Sequence, residues 1–155
     1  MSVETVREHL RRFGAADRIR VLDSSSATVQ EAADAIGCGV PQIAKTLAFE
    51  VNGVPILVVT SGDTKIDNAK FKAQFDTKPK MLPVVEMPAR VGHDVGGVCP
   101  FGVPVGVQTF LDESLQRFET VWPGAGSDNA VVWVNLDELE KFCGTREWVT
   151  VTRST

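Results

Sequence analysis

Three groups of residues in this sequence have types and spacing that could do chemistry. Lys45 opens a β-rich run over residues 45–51. Side chains alternate across a strand, so Lys45 shares a side with Leu47, Phe49 and Val51. An ammonium in line with three apolar side chains is costly to bury unpaired, or has its pKa displaced. It is either a cation at the mouth of a pocket, aimed at a phosphate or a carbonyl, or a strand-end lysine that snorkels to water. The second group is Gly96-Gly97-Val98-Cys99-Pro100-Phe101-Gly102. Glycines let a backbone approach a ligand and point successive N–H groups at it. Pro100 would fix such a loop as preformed donors for a developing oxyanion, although tight turns use the same residues. The third is Cys99 with His93, a thiol and an imidazole that could form a nucleophile and its base. A packed thiol beside a turn histidine is the simpler reading of that pair.

Other candidates are weaker. His9 sits between Glu8 and Leu10 in a helical pattern and reads as a surface or boundary residue. Two histidines and no clustered carboxylates argue against a metal site. Gly124-Ala125-Gly126-Ser127 lacks the lysine of a phosphate-binding loop and reads as a turn that could line a pocket.

These groups must be held by the surrounding elements. Val3, Val6, Leu10 and Phe13 recur at helical spacing, with Gly14 as a stop. A short strand is expected at residues 18–22, and Thr28 with Glu31 forms a capping box for a helix closed by Gly37. Runs 45–51 and 55–60 flank Asn52-Gly53, the signature of a type I′ hairpin. Asp67 caps a helix through Phe75, and a further helical turn disturbed by Pro88 is expected at 84–90. After the glycine-rich stretch, residues 103–109 predict a strand and 113–118 a short helix. A loop at 123–129 precedes a strand at 130–134. Asn135 and Glu138 then cap a helix ending at Gly144, and residues 148–152 add a final strand. The expected class is α+β: one domain over 1–155, with a mixed, strongly curved, barrel-like sheet flanked by helices.

Composition narrows the function. The chain has 155 residues, 43 % hydrophobic and 23 % charged, with a formal net charge of −4. That balance fits one globular core and lacks the basic surplus of extensive nucleic-acid binding. A local patch remains available in the five lysines between Lys65 and Lys80, which otherwise read as a solvated helix and loop. No apolar run approaches a membrane span, and Met1-Ser2-Val3-Glu4 does not resemble a signal peptide. Cys38, Cys99 and Cys143 are odd in number and widely spaced, which points to a reducing, cytoplasmic setting.

Taken in order, these segments resemble the YbaK family, which includes the editing insertion of bacterial prolyl-tRNA synthetase and its free-standing homologues. The resemblance rests on Ile43-Ala44-Lys45-Thr46-Leu47, Val58-Val59-Thr60-Ser61-Gly62-Asp63, Gly96-Gly97-Val98-Cys99-Pro100, Gly124-Ala125-Gly126-Ser127 and Leu136-Asp137-Glu138-Leu139. It implies a trans-acting deacylase that hydrolyses the ester of mischarged tRNA, of prolyl type and carrying a small amino acid, without metal or cofactor. The tRNA 3′ acceptor end is the implied partner, with prolyl-tRNA synthetase a second. Lys45 corresponds to the family's functional lysine, and Gly96 to Pro100 to its Gly-x-x-x-Pro loop. Catalysis is then expected from Lys45 and the Gly96, Gly97 and Val98 backbone. Leu47, Phe49, Cys99, Pro100, Phe101 and Ser127 are expected to contact substrate. Many relatives carry Ser at the place of Cys99, and the chain has no Tyr, a residue the cysteine-selective branch uses. A module that binds a tRNA end or a synthetase without turnover is the alternative reading.

Overall fold

Asn52 and Gly53 take φ of 52° and 79°, the positive values that a two-residue hairpin turn requires. They join β2 (Ile43–Val51) to β3 (Val54–Ser61), paired antiparallel from Ala44↔Ser61 to Val51↔Val54. This hairpin is the centre of a six-stranded mixed sheet in the computed structural model, which describes residues 2–23 and 28–155. Met1, part of the N-terminal reading above, lies outside them. The remaining strands are β1 (Ile19–Val21), β4 (Thr64–Ile66), β5 (Gln108–Asp112), β6 (Thr120–Pro123), β7 (Ala130–Val132), β8 (Val134–Asn135), β9 (Trp148–Val149) and β10 (Thr152–Ser154). The main sheet runs β8-β6-β2-β3-β5-β9 and curls into a half-barrel, with β1-β7 and β10-β4 as two small pairs.

Helices cover both faces of that sheet: α1 (Ser2–Arg11), α2 (Val29–Ile36), α3 (Asn68–Phe75), α4 (Met87–Val91) and α5 (Leu136–Cys143). Thr28, Asp67 and Asn135 cap α2, α3 and α5 by accepting from the N–H three residues on, and Glu138 completes a capping box. One sheet face carries Ala44, Val59 and Leu111 into a core with Leu10, Cys99, Phe101 and Phe142. The opposite face carries Phe49, Ile56 and Val58 against α3, where Phe49 and Phe71 have ring centroids 4.9 Å apart. Among the described residues no helix is long and apolar enough to cross a membrane.

Several expectations shift. Residues 103–107 form no strand, because Pro104 has no N–H to donate and Gly106 turns the chain at φ 99°; the strand begins only at Gln108. The helix expected at 113–118 is a 3₁₀ turn, Glu113–Arg117, capped by Asp112. Pro88 starts α4 rather than disturbing it, since the first helical turn needs no N–H from it. The strand expected at 130–134 is divided at Trp133, and that at 148–152 splits into β9 and the start of β10.

Asp112 fastens the end of the sheet. It is 1 % exposed and accepts from the N–H of Ser114 (3.0 Å), the N–H of Val151 (2.9 Å) and Thr152 Oγ1 (2.7 Å). A hydrogen bond to a charged group contributes roughly 1.5–3 kcal/mol. Asp112→Ala strands two buried donors and one half-buried one and is expected to lower the unfolding free energy by about 3 kcal/mol or more in a urea titration.

Candidate functional site

The ladder between β2 and β6 covers Ile43↔Trp122 and Ala44↔Pro123 and then stops. Pairing resumes on that edge at Ala48, whose carbonyl accepts from the Leu82 N–H, and at Glu50, whose N–H donates to Lys80 O. Lys45, Thr46 and Leu47 therefore lie along a notch in the sheet edge. The Thr46 hydroxyl is buried there and has no hydrogen-bond partner.

The glycine loop closes over this region from one face. Val98 packs against the cluster of Ala48, Leu57 and Leu82. Gly97 lies against the strand β6 extension so closely that a Cβ on it would sit 2.3 Å from Gly126 O and 2.9 Å from Ser127 N. Only glycine fits. The Gly97 N–H is donated to Asp94 O at 2.8 Å, so Gly97 serves the loop by close approach and its amide is not open to a substrate carbonyl. Among the described residues no hydrogen bond takes up the N–H of Val98 or Cys99.

Beside Gly96 and Gly97 is an open depression of about 480 Å³, bordered by Gly126, Ser127, Asp94 and Asp128. Two carboxylates lie at its edge. Ser127 is half-buried, and its hydroxyl donates to Asn129 Oδ1 at 2.7 Å.

Cys99, Pro100 and Phe101 point away from any opening; all three are buried, Cys99 and Phe101 at 0 % exposure. Burial pushes the Cys99 thiol up to about 12. His93 Nε2 lies 2.7 Å from Phe101 O, so that nitrogen must carry its proton and donate it. It also lies 3.5 Å from Cys99 Sγ, and cannot accept the thiol proton while so engaged. Burial lowers the His93 pKa, which keeps the ring neutral. The pair is a buried brace for the loop.

Lys45 projects to the other face, opposite Thr60 in the hairpin register. It is half-buried, and its ammonium donates to Thr64 O. Desolvation lowers its pKa, partly offset by the Asp63 carboxylate. The turn that offers Thr64 O is rigid. Arg117 reaches both Asp63 oxygens (2.6 and 3.1 Å) and Ser61 Oγ (2.7 Å), and pulls the Asp63 pKa down to about 2. Gly62 in the same turn has no space for a side chain, since a Cβ on it would fall 2.3 Å from Val40 O.

Lys45, Leu47 and Phe49 do share one side, as alternation requires, but it is not the side of Val98 and Phe101. Phe49 is 1 % exposed and packed on α3, and Leu47 borders the same cluster. Of the residues expected to contact substrate, Leu47 and Phe49 therefore lie on one face of β2 and the loop on the other. Thr46, Thr60 and Asp63 stand in the motifs of the family resemblance without an assigned role, and Arg117 stands outside them. A hydroxyl inside an apolar run is the only signal available for the threonines, and Asp63 and Arg117 meet only through the fold.

A model of the aminoacyl-tRNA editing domain matches residues 23–142. The chain belongs to this family. It is 40 % identical over 154 residues to the uncharacterized protein YwhH of Bacillus subtilis (strain 168), covering 99 % of this chain and 98 % of that one. It is 31 % identical over 102 residues to proline–tRNA ligase of Staphylococcus aureus (strain Newman), covering 65 % of this chain and 18 % of the ligase. A crystal structure of a protein proposed as a trans-editing enzyme for prolyl-tRNA synthetase superimposes with a TM-score of 0.89 at 27 % identity, over 99 % of this editing domain and 98 % of that chain. The hypothetical protein APE2540 superimposes with a TM-score of 0.85 at 26 % identity, over 96 % and 99 % of the two chains.

Two outcomes test this geometry. Gly97→Ala should displace the loop from Gly126 and cost about 1–3 kcal/mol of stability, the range for overpacking, read as a lowered urea midpoint. Cys99 should resist iodoacetamide at pH 8 in the folded protein. Its folded pKa is raised from an ordinary 9.0 to about 12, so its contribution to stability is complete below pH 9 and is lost as pH rises towards 12.

Proposed function

We propose that this editing domain is a trans-acting deacylase that hydrolyses the ester of mischarged tRNA, of prolyl type, carrying a small amino acid. The observation that carries the reading is the notch at Lys45, Thr46 and Leu47, with a half-buried ammonium on one face of β2 and, on the other, a buried, unpartnered hydroxyl beside the place where Val98 of the glycine loop packs on Ala48 and Leu57. Family membership supports it, as does the near full-length match to a protein proposed to edit in trans for prolyl-tRNA synthetase.

In this reading Lys45 leaves Thr64 O to hold the terminal nucleotide through its phosphate or ribose. A half-desolvated ammonium bound only to a neutral carbonyl gains from meeting an anion. The Val98 and Cys99 N–H groups polarise the aminoacyl carbonyl, with Gly96 and Pro100 fixing the ends of the loop. Asp94 and Asp128 border the depression that receives the α-ammonium common to all aminoacyl esters. Water attacks the carbonyl carbon, the tetrahedral intermediate collapses, and the ribose oxygen leaves with a proton; the vicinal ribose hydroxyl assists the transfer. An aminoacyl ester is already activated, so positioning and oxyanion stabilisation suffice without a side-chain base. The buried, neutral His93 and the protonated Cys99 take no part.

Deacylation by purified variants tests these roles. Lys45→Ala should lose ten- to a hundredfold in kcat/KM, matching a charge-assisted contact of roughly 1.5–3 kcal/mol. Cys99→Ser should stay within about tenfold of the parent. Full activity in a folded Lys45→Ala protein removes the anchoring role, and a covalent acyl group trapped on Cys99 replaces the mechanism with a thiol one. Binding of tRNA without release of amino acid makes the protein a recognition module instead.

A further inference from the structure

The outer face of β6 and β7 carries two tryptophans that the proposed chemistry does not use. β6 meets the chain after β7 in one antiparallel register, from Thr120↔Asn135 and Val121↔Val134 to Gly124↔Val131. That register sets Trp122 directly opposite Trp133, with both indoles on the same face. β1 lies on the other side of β7, with Ile19↔Val132 and Arg20↔Val131. Its two arginines flank the indoles: the Arg18 guanidinium lies 4.3 Å from the Trp133 ring centroid, and that of Arg20 lies 5.5 Å from Trp122. The inward neighbours Val132 and Val134 are buried in the core, whereas Trp133 is 41 % exposed. Arg18 is paired with Glu138 at 2.7 Å. Among the described residues no carboxylate forms an ion pair with Arg20.

We propose that this Arg18–Trp133–Trp122–Arg20 face is a stacking platform for a single-stranded RNA 3′ end, leading the terminal nucleotides to the notch at Lys45. The inference rests on the deacylase reading for the identity of that RNA. Trp122 is half-buried against Ile43 and α2, so Trp133 is the exposed ring; beside Arg20 it suits an unpaired base, which offers a π-surface whatever the sequence, with a phosphate for Arg20 because Arg18 is held by Glu138. An apolar protein partner would gain little from the two guanidinium groups already lying over the rings. Position supports the same occupant. Trp122 is the partner of Ile43 across the sheet, and Lys45 is the next residue on that face of β2. From Trp122 the chain runs through Pro123 and Gly124 to Gly126, against which Gly97 is pressed. The platform also reconciles the net charge of −4 with RNA recognition, since stacking needs few phosphate contacts.

The test is the affinity of a labelled, uncharged acceptor minihelix with its single-stranded 3′ end, against the same duplex with that end removed, by fluorescence anisotropy. The wild-type protein should prefer the overhang. Trp133→Ala should weaken overhang binding about tenfold and leave blunt-duplex binding unchanged, while Trp133→Phe retains most of the affinity. Arg20→Gln should weaken binding and reduce the salt slope by about one; it also keeps the test open should Trp133→Ala unfold, which circular dichroism would reveal. Overhang binding unchanged in both folded Trp133→Ala and Arg20→Gln overturns the platform. So does loss of prolyl-tRNA synthetase binding in Trp133→Ala with RNA binding intact, which makes the face a protein interface. Deacylation read in parallel separates the two proposals. An active deacylase whose RNA binding ignores Trp133 retains the function and loses the platform; Trp133-dependent binding without amino-acid release does the reverse.

Discussion

The approach of Gly97 to the Gly126 backbone is the contact on which the site depends. A methyl group there would fall 2.3 Å from a carbonyl oxygen, so the loop can lie against the β6 extension only because residue 97 has no side chain. Once seated, the loop sends Cys99 and Phe101 into the core and Val98 over Ala48 and Leu57. It thereby fills one side of the place where β6 leaves β2. The notch at Lys45, Thr46 and Leu47 is a consequence, since the edge of β2 is paired before and after it but not within it. Packing alone therefore fixes glycine at this position.

Electrostatics divides the site between two faces of the sheet. On one, a neutral loop is held by a neutral histidine and an un-ionised thiol, so its contribution is dipolar. On the other, Lys45 is the cation, and burial of its stem and head raises the cost of its charge. The Asp63–Arg117 pair sits beside it as a closed unit, with Asp63 committed to Arg117 and Ser61. Asp63 therefore steadies the ammonium through space without capturing it, and the hydrogen bond of the ammonium is to the neutral Thr64 carbonyl.

Much of this was legible in the sequence wherever local chemistry decides the outcome. Asn52-Gly53 announced the hairpin because few residues accept positive φ, and Thr28, Asp67 and Asn135 announced helix starts because their side chains satisfy amides that the helix leaves open. Alternation correctly grouped Lys45 with Leu47 and Phe49. It could not reveal which face the glycine loop covers, because that depends on where β6 returns beside β2 in parallel. β4 and β6 were missed for a related reason: they are three and four residues long and owe their extended form to distant partners rather than to their own residues. The valines at 103, 105 and 107 misled in the opposite direction, their β-propensity being overridden by Pro104 and Gly106. The sequence motif shared with the editing family located the loop and the lysine, but not the orphaned Thr46 hydroxyl or the Asp63–Arg117 brace, which exist only after folding.

The central claim is that this geometry selects and hydrolyses a small aminoacyl ester on tRNA. It is tested most directly by single-turnover deacylation of one prolyl-type tRNA charged in turn with alanine, serine, threonine, cysteine, 2-aminobutyrate, proline and a charged amino acid. Selection by size separates neighbouring amino acids by only about 1–3 kcal/mol, so the account predicts hydrolysis of several small esters at graded rates, with the prolyl ester spared. Faster release of proline or of the charged amino acid than of every small one would contradict it.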